Sequence, residues 1–246
     1  MTDTLDTSAP VLAEIEAAAR TDRNLAIDLA IKALGGGLEN PLVLRLVASG
    51  LEEDGRLRDA AALSHRATVV APTRADVWME FGDRLRKLGR LEDALKAAKM
   101  ALDLAPESYI VQLEAAGAHL VLNNFAAAAD HAERARALCP RSPEALSTLA
   151  IIAARQNRFA AARDSAARAL ALSPGLPGAE IVLAKADIAE DRPALAVQRL
   201  ERLVGRREIS EGHRAEALAA LGDALDATQA PARAFAAYAA SNAVMG

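Results

Sequence analysis

Apolar and polar positions follow helical spacing along most of this chain. In the clearest stretch, from Trp78 to Leu88, apolar residues recur at i, i+3 and i+7. Gly89 interrupts this pattern, and a second apolar run over 91–104 ends shortly before Pro106. Because glycine favours a turn and proline cannot continue a helix, the pattern predicts two helices joined by a short turn.

The same arrangement returns every 34 residues. Six alanines keep this interval: Ala26, Ala60, Ala94, Ala128, Ala162 and Ala196. Four prolines keep step with them: Pro72, Pro106, Pro140 and Pro174. A repeat of this length predicts a stack of helix pairs instead of one globular core.

Two kinds of residue predict where the helices begin and turn. The first position of a helix needs no backbone donor, so prolines there predict the starts of first helices at Pro41, Pro143 and Pro177. Glycine and asparagine tolerate a positive φ, so we expect that conformation at the turns within the repeats, at Gly55, Gly89, Asn123 and Asn157.

The copy over residues 75–108 resembles the tetratricopeptide repeat (TPR) family. The family pattern is Trp-x2-Leu-Gly-x2-Tyr, followed by Ala-x3-Phe, Ala and Pro. This copy carries the corresponding residues Trp78, Phe81, Gly82, Leu85, Ala94, Ala98, Ala101 and Pro106. Where it departs from the pattern, the residue stays apolar.

This resemblance implies an all-α fold, a right-handed TPR α-solenoid of about seven helix-turn-helix units. We expect a single domain over 1–246. Its units lie at about 8–40, 41–74, 75–108, 109–142, 143–176, 177–211 and 212–246. The last unit is offset by four residues, which we place in a loop over 205–211.

Composition excludes several classes of function. The chain is 52% hydrophobic and 3% aromatic, with a net charge of −4. The sequence has no basic stripe with interleaved aromatic residues, so nucleic-acid binding is not expected. No apolar stretch is long enough for a membrane span, and the residues after Met1 do not resemble a secretory signal. With Cys139 as its only cysteine, expected to be a small buried or half-buried thiol, the chain is interpreted as a cytoplasmic protein.

Residues with catalytic potential do not form a recognisable set. The histidines at 65, 119, 131 and 213 lack the further ligands that a zinc site needs, and the glycines over 35–37 are not followed by the Lys-Ser/Thr of a phosphate-binding loop. No nucleophile has a matching base. We therefore expect no catalytic residue, no metal and no cofactor, and a chain that is itself no enzyme.

The TPR resemblance implies a concave groove that is lined by the first helices and binds a peptide or a partner helix. Transferring the family's groove positions gives a charged beginning, around Arg45 and Asp83, and an apolar middle on the helix over 109–122. An apolar helix surface with no cover marks an interaction site. The predicted partner-binding residues are Met79, Ile110, Leu113, Gly117, Leu120, Val121, Ser147, Ile151, Arg155, Ile181, Lys185 and Ile188.

Two alternatives to a partner groove stay open at this point. These side chains could pack only between neighbouring units, or they could meet a second copy of the chain. In either case the groove would be closed to other proteins.

The C-terminal helix over 231–245 has one charged residue, Arg233, although solenoids normally end in a polar cap. Left bare, it would expose Phe235, Tyr238, Val244 and Met245. We therefore expect the natural chain to continue, or this helix to contact a second domain or a second copy.

The spacing of Phe235, Tyr238, Ser241 and Asn242 resembles the last repeat of bacterial proteins in which a TPR array precedes a sulfotransferase or glycosyltransferase domain. The resemblance implies an alternative to a non-catalytic protein-interaction scaffold. In that alternative the chain recruits substrate for a catalytic domain beyond Gly246.

Overall fold

The computed structural model of the protein describes residues 8–245, and all regular structure within that range is α-helical. An all-α repeat fold is thereby confirmed. The expectation about the residues after Met1 lies outside the described range, as do Gly246 and the side chain of Met245.

The helices form two compact units, Met1–Leu122 and Asn123–Gly246, which we call the N-terminal and C-terminal units. The N-terminal unit contains α1 (Ser8–Thr21), α2 (Arg23–Gly35), α3 (Pro41–Glu53), α4 (Leu57–Val70), α5 (Ala75–Lys87), α6 (Leu91–Leu104) and α7 (Tyr109–Val121). Within it, each helix packs on the one before it in the chain.

The C-terminal unit contains α8 (Phe125–Leu138), α9 (Pro143–Arg155), α10 (Phe159–Leu172), α11 (Pro177–Ala189), α12 (Pro193–Val204), α13 (Glu211–Ala227) and α14 (Pro231–Met245). The boundary between the two units falls inside the predicted repeat over 109–142. The assignment of one domain to the whole chain therefore stays a prediction.

The periodic alanines lie in the cores of the helix pairs, where each has an exposed fraction of 0 or 1%. Small residues at these positions allow close approach of the two helices of a pair. α5 and α6 lie close together at Gly82, where an added Cβ would lie 3.3 Å from the Cβ of Ala97.

The predicted helix starts and turns are confirmed. Pro41, Pro143 and Pro177 each stand at the first positions of their helices. The four predicted turn residues have φ between 56° and 75°. Asp191 and Gln229 take the same conformation, with φ of 59°, at the corresponding turns of the last two helix pairs. Neither residue carries the glycine or asparagine signal, so the sequence did not mark them.

The expected position of the four extra residues, in the loop over 205–211, is wrong. α13 begins at Glu211, 34 residues after α11 begins at Pro177, and with 17 residues it is four residues longer than α11, so the extra residues lengthen the helix. The loop between α12 and α13 spans 205–210. Arg214 holds this loop in place. Its guanidinium donates to the carbonyl oxygens of Val204, at 2.5 Å, and Arg206, at 2.7 Å.

The last helix differs in part from expectation. Phe235 is 76% exposed, as expected, but Tyr238 is half-buried and folds back onto α13. Its ring covers Gly222, and its hydroxyl donates to Asp223 Oδ1 at 2.8 Å. Glycine at 222 makes this contact possible, because an added Cβ would lie 2.3 Å from Tyr238 Cε1.

Candidate interaction surfaces

The first helices of the N-terminal unit are joined by ion pairs. Arg45 of α3 donates from Nε to Glu80 Oε1 of α5 at 2.8 Å, and its Nη1 lies 2.5 Å from Asp76 Oδ2. Although burial disfavours a charged carboxylate at Asp76, its hydrogen bond from Arg74 and the Arg45 charge lower its pKa. The carboxylate is therefore ionised at neutral pH and holds α3 against α5.

A second set of ion pairs lies two turns further along the same helices. Lys87 of α5 places Nζ 2.5 Å from Glu52 Oε1 and 2.6 Å from Asp83 Oδ2. Burial disfavours the charge of Lys87, but the two carboxylates raise its pKa above the ordinary value. Arg84, only 5% exposed, contributes Nε at 3.1 Å from Glu52 Oε2.

A groove of about 480 Å³ runs beside these pairs. It is lined by Arg23, Leu42, Arg45, Leu46, Ser49, Met79, Glu80, Asp83, Arg84 and Glu114. Glu114 belongs to α7. Burial raises the pKa of its carboxyl group, although the positive charge of Arg86, whose Nε lies 3.7 Å from Glu114 Oε1, acts to lower it. The predicted residue Met79 lies half-buried in the wall. The positive and negative side chains of this groove neutralise one another. They therefore hold the helices together and leave little net charge to attract a charged ligand.

The stripe on α7 is different. Ile110 is 48% exposed, and Leu113, Gly117, Leu120 and Val121 are half-buried along the same side of the helix. An added Cβ on Gly117 would meet nothing within 4 Å, so the space above the middle of the stripe is open. We call these five residues the α7 stripe.

Two predicted residues of the C-terminal unit lie in its interior instead of on its surface. Ile181 is 1% exposed, because it belongs to a core cluster with Leu200, Leu203 and other residues of α12 and α13. Ser147 is 7% exposed, because α11 covers it: an added Cβ on Gly178 would lie 3.2 Å from Ser147 Oγ. Their assignment to a partner surface is wrong.

The other predicted residues of this unit already contact their own helices. Ile151 packs beneath Gly178, and Ile188 packs against the cluster of Ile181. Lys185 lies 2.7 Å from Glu216 Oε1. Arg155 is exposed and donates to the side-chain oxygen of Asn123 at 2.8 Å. This face of the unit is mostly filled by its own side chains.

The tetratricopeptide repeat family model matches residues 48–109 and 113–177, which together make up just over half of the chain. The chain belongs to the tetratricopeptide repeat family. The TPR fold commonly mediates protein–protein interaction, and its members are typically non-catalytic scaffolds. No curated protein sequence matches this one.

Solved TPR structures share the fold. The chain is similar to a chain of the APC/C hetero-tetramer Cut9–Hcn1, with a TM-score of 0.74 and 16% identity. The match covers 97% of this chain and 46% of that chain. It is also similar to a tetratricopeptide repeat protein from Parabacteroides merdae, with a TM-score of 0.73 and 15% identity over 96% of this chain and 92% of that one. A third similar structure is the type IV pilus biogenesis factor PilW, with a TM-score of 0.65 and 20% identity over 82% of this chain and 92% of that one. At these identities the likeness shows the fold alone.

One TPR position carries an unexpected charge. Asp187 of α11 is 2% exposed and lies among three arginines: Arg163, with Nη2 2.7 Å from Oδ1, Arg192 at 3.5 Å and Arg199 at 3.6 Å. A buried carboxylate needs such partners to remain ionised. The signal was present in the sequence, since the same position of the earlier repeats holds Leu51, Leu85, His119 and Ala153, and a carboxylate appears there first at Asp187.

Two classes of feature are missing from residues 8–245 of this TPR chain. No helix there is both long and apolar enough to cross a bilayer. In the same range, histidine, cysteine, aspartate and glutamate side chains form no group of three or more with the geometry of a metal site. Cys139 is a half-buried free thiol at the end of α8.

Proposed function

We propose that this protein is a non-catalytic scaffold that binds a polypeptide on its first-helix face, with the α7 stripe as the main contact. The observation that carries the proposal is the open apolar surface around Gly117, beside the 48% exposed Ile110. Exposed apolar side chains at i, i+3 and i+7 spacing suit the apolar face of a partner helix or an extended apolar segment.

The size of the stripe limits the affinity. Four side chains buried at roughly 1.5–3 kcal/mol each provide about 6–12 kcal/mol before costs. Association costs at least about 4 kcal/mol in lost freedom of motion, so at most about 8 kcal/mol is left and micromolar binding is the upper limit. Met79, half-buried in the same unit, supports the proposal. A role for Ile151, Arg155, Lys185 and Ile188 of the C-terminal unit stays a separate prediction, which this proposal does not use.

The proposal is tested with a double variant, Ile110→Glu with Leu113→Glu. Both side chains retain exposed surface, so the helices should remain folded by circular dichroism while two charges are placed in the stripe. The matched control is Leu25→Glu with Ile31→Glu, which changes two exposed apolar residues on α2.

The measurement is quantitative capture of proteins from lysate of the source organism. We expect one set of partners that the wild type and the control retain and that the α7 double variant loses. Equal capture by all three proteins would reject the α7 stripe as the binding surface.

The alternative, in which the chain recruits substrate for a transferase domain, is favoured by one observation. Phe235 leaves a large aromatic surface on α14, at 76% exposure, and a further domain would cover it. The mass of the protein produced by the natural gene tests this alternative. A product of 25.8 kDa, the mass of the present chain, excludes it.

A further inference from the structure

A cleft of about 880 Å³ lies in the N-terminal unit and is formed by α4, α5 and α6. None of the α7 stripe residues lines it. Its sides are formed partly by alanines, Ala61 and Ala62 on α4 and Ala97 on α6, whose small side chains leave the space open. We call it the outer cleft.

The floor of the outer cleft is aromatic and fixed in place. Trp78 and Phe81 of α5 form it, and both are half-buried, so each ring keeps an accessible part. Trp78 Nε1 donates to the carbonyl oxygen of Pro72 at 2.9 Å, and the Phe81 ring lies 5.4 Å from that of His65. A preformed aromatic floor with an apolar edge at Met100 suits one apolar side chain of a ligand.

The end of the cleft where α4 and α6 begin is basic. Arg58, Arg90 and Lys96 line it, with Asp93 as the only carboxylate among the lining residues. Asp93 is already bound by Arg90 at 2.7 Å and Lys96 at 3.0 Å, whereas Arg58 forms no ion pair with any residue in 8–245. This local excess of positive charge stands out in a chain of net charge −4 and is complementary to an anionic ligand.

The length of the cleft limits the size of its ligand. Arg58 and His65 are seven residues apart on α4, which corresponds to about 10 Å along a helix. An extended chain covers this distance with about three residues at roughly 3.3 Å each.

We propose that the outer cleft binds a short acidic peptide segment of a partner protein. One aromatic or branched aliphatic side chain of the segment lies on Trp78 and Phe81, and adjacent carboxylates pair with Arg58 and Lys96. This site is separate from the α7 stripe, so the chain has two polypeptide-binding surfaces in its N-terminal unit.

Trp78 is the only tryptophan of the chain, so its fluorescence reports directly on the cleft. The probe is acetyl-Asp-Asp-Phe-amide, titrated to millimolar concentration with selective excitation of tryptophan. We expect a saturable shift of the emission to shorter wavelength, because the phenyl group removes water from the indole. Replacing the phenylalanine of the probe by alanine should weaken binding about tenfold or more. The lysine counterpart, acetyl-Lys-Lys-Phe-amide, should not bind.

Arg58→Glu should weaken binding of the acidic probe about fivefold, because an attraction becomes a repulsion. Arg58 is exposed and holds no other residue, so the fold should be unaffected. The control is Arg20→Glu on α1, an exposed arginine outside the cleft. It should bind as the wild type does, and so should the α7 double variant, which separates this proposal from the proposed function.

Three results would overturn the proposal: no emission shift with the acidic probe, an equal response to the lysine probe, or equal binding by Arg58→Glu. Sedimentation of the unliganded protein provides the last arm. Self-association that Arg58→Glu abolishes would assign the cleft to a second copy of the chain instead.

Discussion

The N-terminal and C-terminal units use one repeat but join their first helices with different chemistry. In the N-terminal unit, half-exposed ion pairs such as Arg45–Glu80 link α3 to α5. In the C-terminal unit the ion pair Lys185–Glu216 also links α11 to α13, but apolar and small residues close the face around Ile181. One buried carboxylate of this unit, Asp187, is surrounded by arginines. The repeat determines where the helices lie, whereas the side chains at each register position decide whether a face is open or closed.

The largest expected effect comes from breaking the buried cluster. Asp187→Asn keeps the size of the side chain but leaves Arg163, Arg192 and Arg199 without their shared carboxylate. We expect a loss of about 3 kcal/mol in the free energy of unfolding, measured by urea denaturation. The control is Glu190→Gln, whose side chain is 36% exposed and contacts Arg163. It should cost less than about 1 kcal/mol. Equal losses in the two variants would show that the buried cluster adds nothing.

The next effect distinguishes two glycines that lie beneath side chains. Gly222→Ala places a methyl group 2.3 Å from the ring of Tyr238, so we expect about 2 kcal/mol of destabilisation. Gly82→Ala meets the Cβ of Ala97 at 3.3 Å, a contact that a small shift relieves, and alanine is the better helix former. Its stability should stay within about 1 kcal/mol of the wild type. Denaturation midpoints measure both variants, and the reverse order of stability would contradict the packing described here.

A smaller effect depends on pH. Burial raises the pKa of Glu114 despite the charge of Arg86, so the folded state disfavours the ionised carboxylate. Its unfavourable contribution is therefore absent below the unfolded-state pKa and develops as the pH rises through the folded-state pKa. We expect Glu114→Gln to be more stable than the wild type at pH 7, by up to about 1 kcal/mol, and equal to it below about pH 4. Thermal unfolding across this range is the measurement, and a stability difference independent of pH would be inconsistent with this account.

The smallest effect tests the exposed ion pairs. Lys87→Gln removes contacts with Glu52 and Asp83, but the lysine side chain is 43% exposed. We expect a loss of about 0.5 kcal/mol in water that disappears in high salt, because exposed pairs are weak and screened. If instead this loss matched that of Asp187→Asn, the contrast between the two units would be wrong.

The sequence predicted the helices and their turns well, because those depend on local chemistry. The alanine period identified buried positions in every second helix, from Ala26 to Ala196, and proline identified three helix starts. Ser147 and Ile181 were assigned to the groove by register alone. Register does not say which neighbouring helix covers a residue, and α11 and α12 cover these two.

The outer cleft escaped sequence analysis for a related reason. Trp78 and Phe81 match signature positions of the repeat, and that match does not show whether their rings are accessible. Alanines at 61, 62 and 97 were equally consistent with close packing of helices. The structure shows that α4 and α6 leave space between them. Because the alanines do not fill this space, the rings of Trp78 and Phe81 remain accessible.

The empty space above Gly117 offers a practical handle. Because an added Cβ there touches nothing within 4 Å, position 117 is a suitable place to introduce a photo-reactive amino acid. Irradiation in living cells would then attach the protein covalently to whatever rests on that helix. A weak and transient complex would then be recovered as a covalent cross-link that withstands purification.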